Sequence, residues 1–294
     1  MSLAALAGAA LAWVGFVALL FAASLALPGR VQEGRALPGG EHKRYRLNGL
    51  AVFAFAAVVV AATTLAGLWS PSLIVHAFWP LVVAANVFAL AASAILWLAG
   101  RRAGPHRLRD VLTGVEADPT WLGVDLKLFS YRPSLIALAL LNVAFAFAQW
   151  ERHGVVSTGM WLYQAFTLVY VVNYFHFEHG MLFTYDLLAE RFGLGLVWGN
   201  YVLVPFFYSL PGWYLVDRID PLPTGAAPAL VLLYYAWALP CGFASPVPYL
   251  PALWLTLFFP HRARRDDRRC RDKYGALWTA YCARVRWRML PYVF

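Results

Sequence analysis

Residues 261–275 read His261-Arg262-Ala263-Arg264-Arg265-Asp266-Asp267-Arg268-Arg269-Cys270-Arg271-Asp272-Lys273-Tyr274-Gly275, and Trp278, Tyr281 and Cys282 follow. Wound as a helix over 262–278, the segment sets Arg262, Asp266, Cys270, Lys273 and Tyr274 in one polar stripe, because their spacing follows the helical repeat. Gly275 then breaks the helix. Cations neutralise phosphate, a carboxylate accepts from a ribose hydroxyl, and a phenol stacks or donates. The stripe therefore suits a phosphorylated, ribose-containing ligand. The same charges also suit a solvated helix gripping anionic lipid headgroups beside a membrane.

A second group of candidates lies in the amphipathic stretch 175–193, which carries Glu178 and Asp186. A carboxylate in or near a membrane is costly and so marks a functional position, although interfacial solvation accounts equally well for Asp186. His176-Phe177-Glu178-His179 holds two histidines at i and i+3 beside a glutamate. The other histidines are scattered, and no metal is expected. Cys241, Cys270 and Cys282 lack a Cys-x-x-Cys spacing and read as reduced thiols. Gly-rich dinucleotide loops, P-loops and Gly-x-Ser-x-Gly elbows are not seen in the sequence.

The elements that position these residues must live in lipid. Hydrophobic residues make up 61% of the 294 and charged residues 13%, against roughly 45–50% and 25% in soluble domains. That balance excludes a soluble globule, a disordered chain, a coiled coil and a disulfide scaffold. The pattern predicts an all-α polytopic transmembrane bundle of about seven to nine spans. Expected spans cover 3–27, 50–68, 74–99, 133–150, 160–174 and 194–216. A last apolar block, 226–260, is broken by Pro240, Pro246 and Pro248 and crosses once or twice. No cation precedes residue 3, so the first stretch reads as a retained span rather than a signal peptide. Residues 30–46 and 101–132 read as polar loops, and Pro133 as the first residue of its span. Residues 1–260 form the membrane domain and 261–294 a basic tail. The net charge is +9, and ten of the 24 Lys and Arg lie in that tail, which places it in the cytoplasm against anionic lipid. Nucleic acid is not expected as a partner.

The order of residues in the tail strongly resembles the C-terminal signature of the membrane sterol reductases, the family of Δ14-sterol reductase, 7-dehydrocholesterol reductase and the lamin B receptor. That signature is complete here from His261 to Tyr281, and the ending Pro291-Tyr292-Val293-Phe294 is similar. Upstream, the resemblance extends through Leu239-Pro240-Cys241-Gly242-Phe243 and through Val204-Pro205-Phe206-Phe207-Tyr208-Ser209-Leu210. It continues in Asp125-Leu126-Lys127-Leu128-Phe129 with Arg132-Pro133, and in Leu47-Asn48-Gly49-Leu50. The resemblance implies reduction of a carbon–carbon double bond in a sterol by NADPH, with Δ14 the best single choice of bond. It assigns Arg262, Asp266, Cys270, Lys273 and Tyr274 to the NADPH site. It assigns Tyr208 to the reaction centre, and Glu178 and Asp186 to the acidic positions near the sterol.

The chain departs from that pattern between 211 and 237. There the family carries a longer segment with Asn-x-Gln-Lys, Gly-Trp-Trp-Gly and Arg-His-x-Asn-Tyr groups that build much of the cofactor pocket. Here about twenty residues connect Tyr214 to Tyr235, and Pro211 replaces a glutamine. Two alternatives stay open. One is a membrane methyltransferase of the isoprenylcysteine carboxyl type, using S-adenosylmethionine. The other is a non-catalytic sterol- or lipid-binding membrane protein.

Overall fold

The structure, a computed structural model, describes residues 2–36, 42–100 and 108–219 and scattered positions between 253 and 282. The chain divides into two compact units, Met1–Pro248 and Tyr249–Phe294. The first is built of helices. Four stretches are long and apolar enough to cross a membrane: Leu3–Ala26, Phe78–Ala99, Leu126–His153 and Leu194–Leu215. The expected span at 50–68 is the 17-residue helix Gly49–Leu65, and that at 160–174 is the helix Thr158–His176. The final apolar block of the expected seven to nine crossings lies outside the described residues, and among the described residues four helices are long and apolar enough to cross.

In chain order, α1 is Leu3–Ala26, a hairpin joins β1 (Arg30–Ala36) to β2 (His42–Leu47), and α2 is Gly49–Leu65. Then come α3 (Ser72–His76), α4 (Phe78–Ala99) and α5 (Arg109–Thr113). A small hairpin, β3 (Thr120–Trp121) and β4 (Val124–Asp125), leads into α6 (Leu126–His153) and α7 (Thr158–His176). A 3-10 turn at Glu178–Phe183, α8 (Tyr185–Leu188), α9 (Leu194–Trp198), a π-helical segment at Gly199–Phe207 and α10 (Leu210–Leu215) complete the series. Helix α6 is the axis of this unit. Its most apolar window is 67% buried, whereas those of α1 and α4 are 22% buried and turn most of their surface outward. Trp13, Phe78 and Phe206 interlock beside it, with ring centroids 5.4 and 5.7 Å apart.

Three expectations are corrected. Part of the 30–46 loop is an antiparallel hairpin, with Val31 opposite Arg46 and Gln32 opposite Tyr45. Pairing satisfies backbone groups that flank a membrane helix, and Tyr45 turns inward against Leu128, Leu182 and Leu187. The third span is broken at Ala77, between α3 and α4. An unbroken helix would need an N–H from Pro80 to reach the His76 carbonyl. Restarting at Phe78 puts Pro80 in a first turn, where no N–H is required.

Helix α6 starts at Leu126, not Pro133, so Pro133 lies inside it. Asp125 caps the helix by accepting from Leu128 N at 2.7 Å. Lys127 donates to the carbonyls of Leu187 and Glu190 at 3.2 and 2.8 Å. The polar residues that resemble a loop are thus buried and satisfied. The sixth span lies where expected, at Leu194–Leu215, and its middle is π-helical and contains Pro205.

Where α9 begins, backbone meets backbone. A Cβ on Gly193 would stand 2.2 Å from the Gly114 nitrogen, a contact no side-chain movement relieves. Gly193→Ala is expected to cost about 1–3 kcal/mol of stability. The check is a lowered midpoint in thermal unfolding of the detergent-purified protein.

Candidate functional site

The first turns of α6 present a buried polar layer. Arg132 and Glu178 are 2% and 4% exposed and form an ion pair, with Nε and Nη2 both 3.1 Å from Oε1. The other oxygen, Oε2, accepts from the Gly49 N–H at 2.9 Å, and Arg132 Nη2 also donates to the Arg46 carbonyl at 2.9 Å. One carboxylate therefore joins the start of α2, the second turn of α6 and the segment after α7. Gly49 is needed for that approach, because a Cβ there would lie 2.6 Å from Oε1. Asn48, its neighbour, donates to the carbonyls of Ser24 and Leu27 at the end of α1.

One residue before Arg132, Tyr131 donates to Asp186 Oδ2 at 2.7 Å and stacks on Tyr174 with centroids 6.0 Å apart. The buried Tyr174 hydroxyl has no hydrogen-bond partner among the described residues. Lys43 of β2 pairs with Asp125 and approaches Asp118 at 3.4 Å. This end of the bundle thus brings Glu178 and Asp186 against two adjacent residues of α6, Arg132 and Tyr131, which donate to them.

Tyr208 stands elsewhere. It follows the π-helical segment, and its carbonyl accepts from the Tyr163 hydroxyl at 2.7 Å. Tyr163 is 1% exposed and near the beginning of α7. About 20 Å of helix separates it from the end of α7, where Glu178 follows. Long π-helical stretches are rare and favour functional positions. This one is fixed at its start by Asn200, which donates to Ser130 at 2.7 Å, and near its end by Tyr163. Gly212 allows α10 to close here, since a Cβ would meet Tyr163 at 2.6 Å and Phe145 at 2.8 Å.

In the tail, Arg262, Asp266, Lys273 and Tyr274 lie outside the described residues. Cys270 is among helical positions that include 264, 265, 267, 268, 271 and 272. Gly275 adopts φ +50 and donates its N–H to the Arg271 carbonyl at 2.9 Å, which is the helix end expected there. Asp267 bonds Arg271 at 3.2 Å and the Trp278 indole N–H at 2.9 Å, holding the turn from within.

The residues not named as candidates from sequence are Arg132, Gly49 and Tyr163. Arg132-Pro133 was visible as a motif, and a buried guanidinium demands a carboxylate, but nothing local pairs it with a residue 46 positions away. Tyr163 carries no sequence signal of its hydroxyl's partner.

Comparison with known proteins fits the arrangement. The profile of the ergosterol biosynthesis ERG4/ERG24 family matches residues 7–234 and 228–294. The chain belongs to that family. Similar proteins include the Delta(14)-sterol reductase of Arabidopsis thaliana, 28% identical over 95% of this chain and 94% of that protein. The Delta(14)-sterol reductase of Methylotuvimicrobium alcaliphilum is 29% identical over 91% of this chain and 79% of that protein. The 7-dehydrocholesterol reductase of Xenopus laevis is 27% identical over 97% and 79%. The first alignment runs to 348 positions, longer than the 294 residues of this chain, so the relative holds stretches with no counterpart here. The profile match itself divides at 228–234, within the short 211–237 connection.

Proposed function

We propose that this protein reduces a carbon–carbon double bond in the nucleus of a sterol, the Δ14 bond, at the expense of NADPH. The observation that carries this reading is the family match along nearly the whole chain, with relatives named for that reaction. An isolated alkene is a poor hydride acceptor, so it is protonated first and the resulting cation is then captured by hydride. NADPH supplies the hydride. The chain's own tasks are to hold a proton donor against the alkene, to exclude water and to hold the phosphates.

We assign the proton to the Tyr208 phenol, since the π-helical segment and Tyr163 fix its main chain. Asp186, bonded to Tyr131, remains the acidic candidate near the sterol. Glu178 takes a positioning role, because both its oxygens already accept hydrogen bonds. In the tail, Asp267 is engaged by Arg271 and Trp278. Of the Asp-Asp pair the ribose hydroxyl therefore falls to Asp266, with Arg262, Lys273 and Tyr274 on the phosphates and base and Cys270 beside them. This chemistry fits a phosphorylated dinucleotide. The shortened 211–237 connection lacks the family's Trp-Trp and Asn-Tyr groups, so we expect weak affinity for NADPH.

Binding of NADPH, NADH and S-adenosylmethionine to the detergent-purified protein, measured side by side, tests the assignment. NADPH is expected to bind best. Asp266→Ala or Lys273→Ala is expected to weaken it by about 1–3 kcal/mol per charged hydrogen bond lost, while Arg268→Ala changes it little. Preference for S-adenosylmethionine would move the protein to the methyltransferases. Sterol binding with no nucleotide binding would favour a non-catalytic sterol-binding protein, the reading that the missing segment supports.

The tail must also meet cytoplasmic NADPH. Ten cations oppose its translocation, so a reporter fused after Phe294 is expected to report the cytoplasmic side. A signal from the opposite side would remove the tail from the cofactor.

A further inference from the structure

Hydrogen bonds to three different helices hold the π-helical segment Gly199–Phe207. Just before it, the Trp198 indole N–H donates to Asn86 Oδ1 on α4 at 3.0 Å. In its first turn, Asn200 Nδ2 donates to Ser130 Oγ on α6 at 2.7 Å. Just after it, the Tyr208 carbonyl accepts from the Tyr163 hydroxyl on α7 at 2.7 Å. Residues two apart on a helix do not share a face, so Trp198 and Asn200 grip their neighbours from different sides of the axis. Upstream the chain has no room to yield, because backbone meets backbone where Gly193 lies against Gly114.

The Asn200–Ser130 bond is fully enclosed, and both residues are buried. Ser130 donates its own proton to the Lys127 carbonyl at 2.7 Å, which leaves its oxygen to accept from Asn200. Asparagine is a poor helix former, and burying its amide in an apolar helix is costly unless the amide is bonded. Its place inside the segment therefore calls for a role. Pro205 acts in the same direction. In an α-helix its ring would clash with the carbonyl four residues back, that of Tyr201. A turn widened by one residue moves that carbonyl aside.

We propose that this segment is a helix clamped in the π register from both ends, with Asn200 and Tyr163 as positioning residues that together aim the Tyr208 phenol. It rests on the reading that Tyr208 protonates the sterol. A π turn closes on the fifth residue where an α turn closes on the fourth. Relaxation to α therefore turns one end against the other by roughly 100°, the rotation of one residue. Trp198 and Gly193 fix the upstream end, so the rotation passes to Tyr208. Release of either clamp has the same consequence: the phenol leaves its line to the alkene while the sterol and cofactor sites stay as they were.

The test releases each clamp and then both. Asn200→Leu, Tyr163→Phe and the double variant are purified in detergent, and unfolding midpoints confirm that each is folded. Ser130→Ala removes the Asn200 bond with the smallest change and stands in for Asn200→Leu should that variant not fold. Each single variant is expected to lower kcat about tenfold or more, since a misaimed group loses that much, with KM and the affinities for sterol and NADPH within about twofold of wild type. The double variant is expected to be no slower than the slower single one, because one release already relaxes the segment. Two independent structural bonds would instead multiply their effects. Incorporated 3-fluorotyrosine reports the phenol directly: the Tyr208 fluorine resonance, assigned by its loss in Tyr208→Phe, is expected to move in every clamp variant.

An unmoved Tyr208 resonance in the clamp variants overturns the proposal and leaves the reductase reading intact. So does a resonance that moves with kcat unchanged, or a double variant whose loss is the product of the two single losses. Resonances that move together in a wild type and variants that reduce no sterol keep the clamp and defeat the reductase reading.

Discussion

Arg132→Ala is expected to destabilise the protein by about 3–5 kcal/mol, the largest single-residue effect on folding anticipated here. The substitution leaves the Glu178 carboxyl group 4% exposed, with the Gly49 N–H as its remaining hydrogen-bond donor among the described residues. It also strips the Arg46 carbonyl of its donor at the end of β2. Three elements then lose their common tie. Thermal unfolding in detergent measures the effect. Arg132→Met combined with Glu178→Leu is expected to recover part of the loss, since no buried charge is then left without its partner, while the Gly49 N–H and the Arg46 carbonyl still lose these bonds. A full-strength midpoint in Arg132→Ala alone would mean that the pair does not hold the bundle together.

Tyr208→Phe is expected to lower sterol reduction at least 100-fold, the lower end of what a positioned proton donor contributes. Folding is expected to survive, because the bond to Tyr163 uses the Tyr208 main-chain carbonyl and not its phenol. NADPH and sterol affinities should therefore stay near wild type while turnover falls. Extracted sterols quantified by mass spectrometry give the turnover. Full activity in Tyr208→Phe would move the proton to another group, and Asp186→Asn would then be the variant to examine.

The apolar spans were legible in the sequence because lipid imposes a simple rule on composition and length. Residues 3–26 and 194–215 fall where hydropathy puts them. The tail's helix end was legible too, since Gly275 carries a local signal. What escaped depended on distant partners. The turns from Leu126 to Arg132 look like loop because of their polar residues, and they are helix because Lys127 and Arg132 find acceptors 63 and 46 positions along the chain. The break at Ala77 was readable in principle from Pro80 but is masked by continuous hydropathy. The separation of Tyr208 from Glu178 is a property of how α7 lies along α6, and no motif encodes it. The motifs found by resemblance acquire physical content in the same way: Asn48-Gly49 ties α1 and admits Glu178, and Asp125 caps α6.

Expression of the full chain in a yeast strain lacking its own Δ14-reductase tests the central claim most directly, with extracted sterols analysed by mass spectrometry. The account predicts a sterol two mass units heavier than the accumulated Δ14 precursor, formed slowly in the wild type and not in Tyr208→Phe. An unchanged precursor pool at full expression, with the protein folded in the membrane, would contradict it.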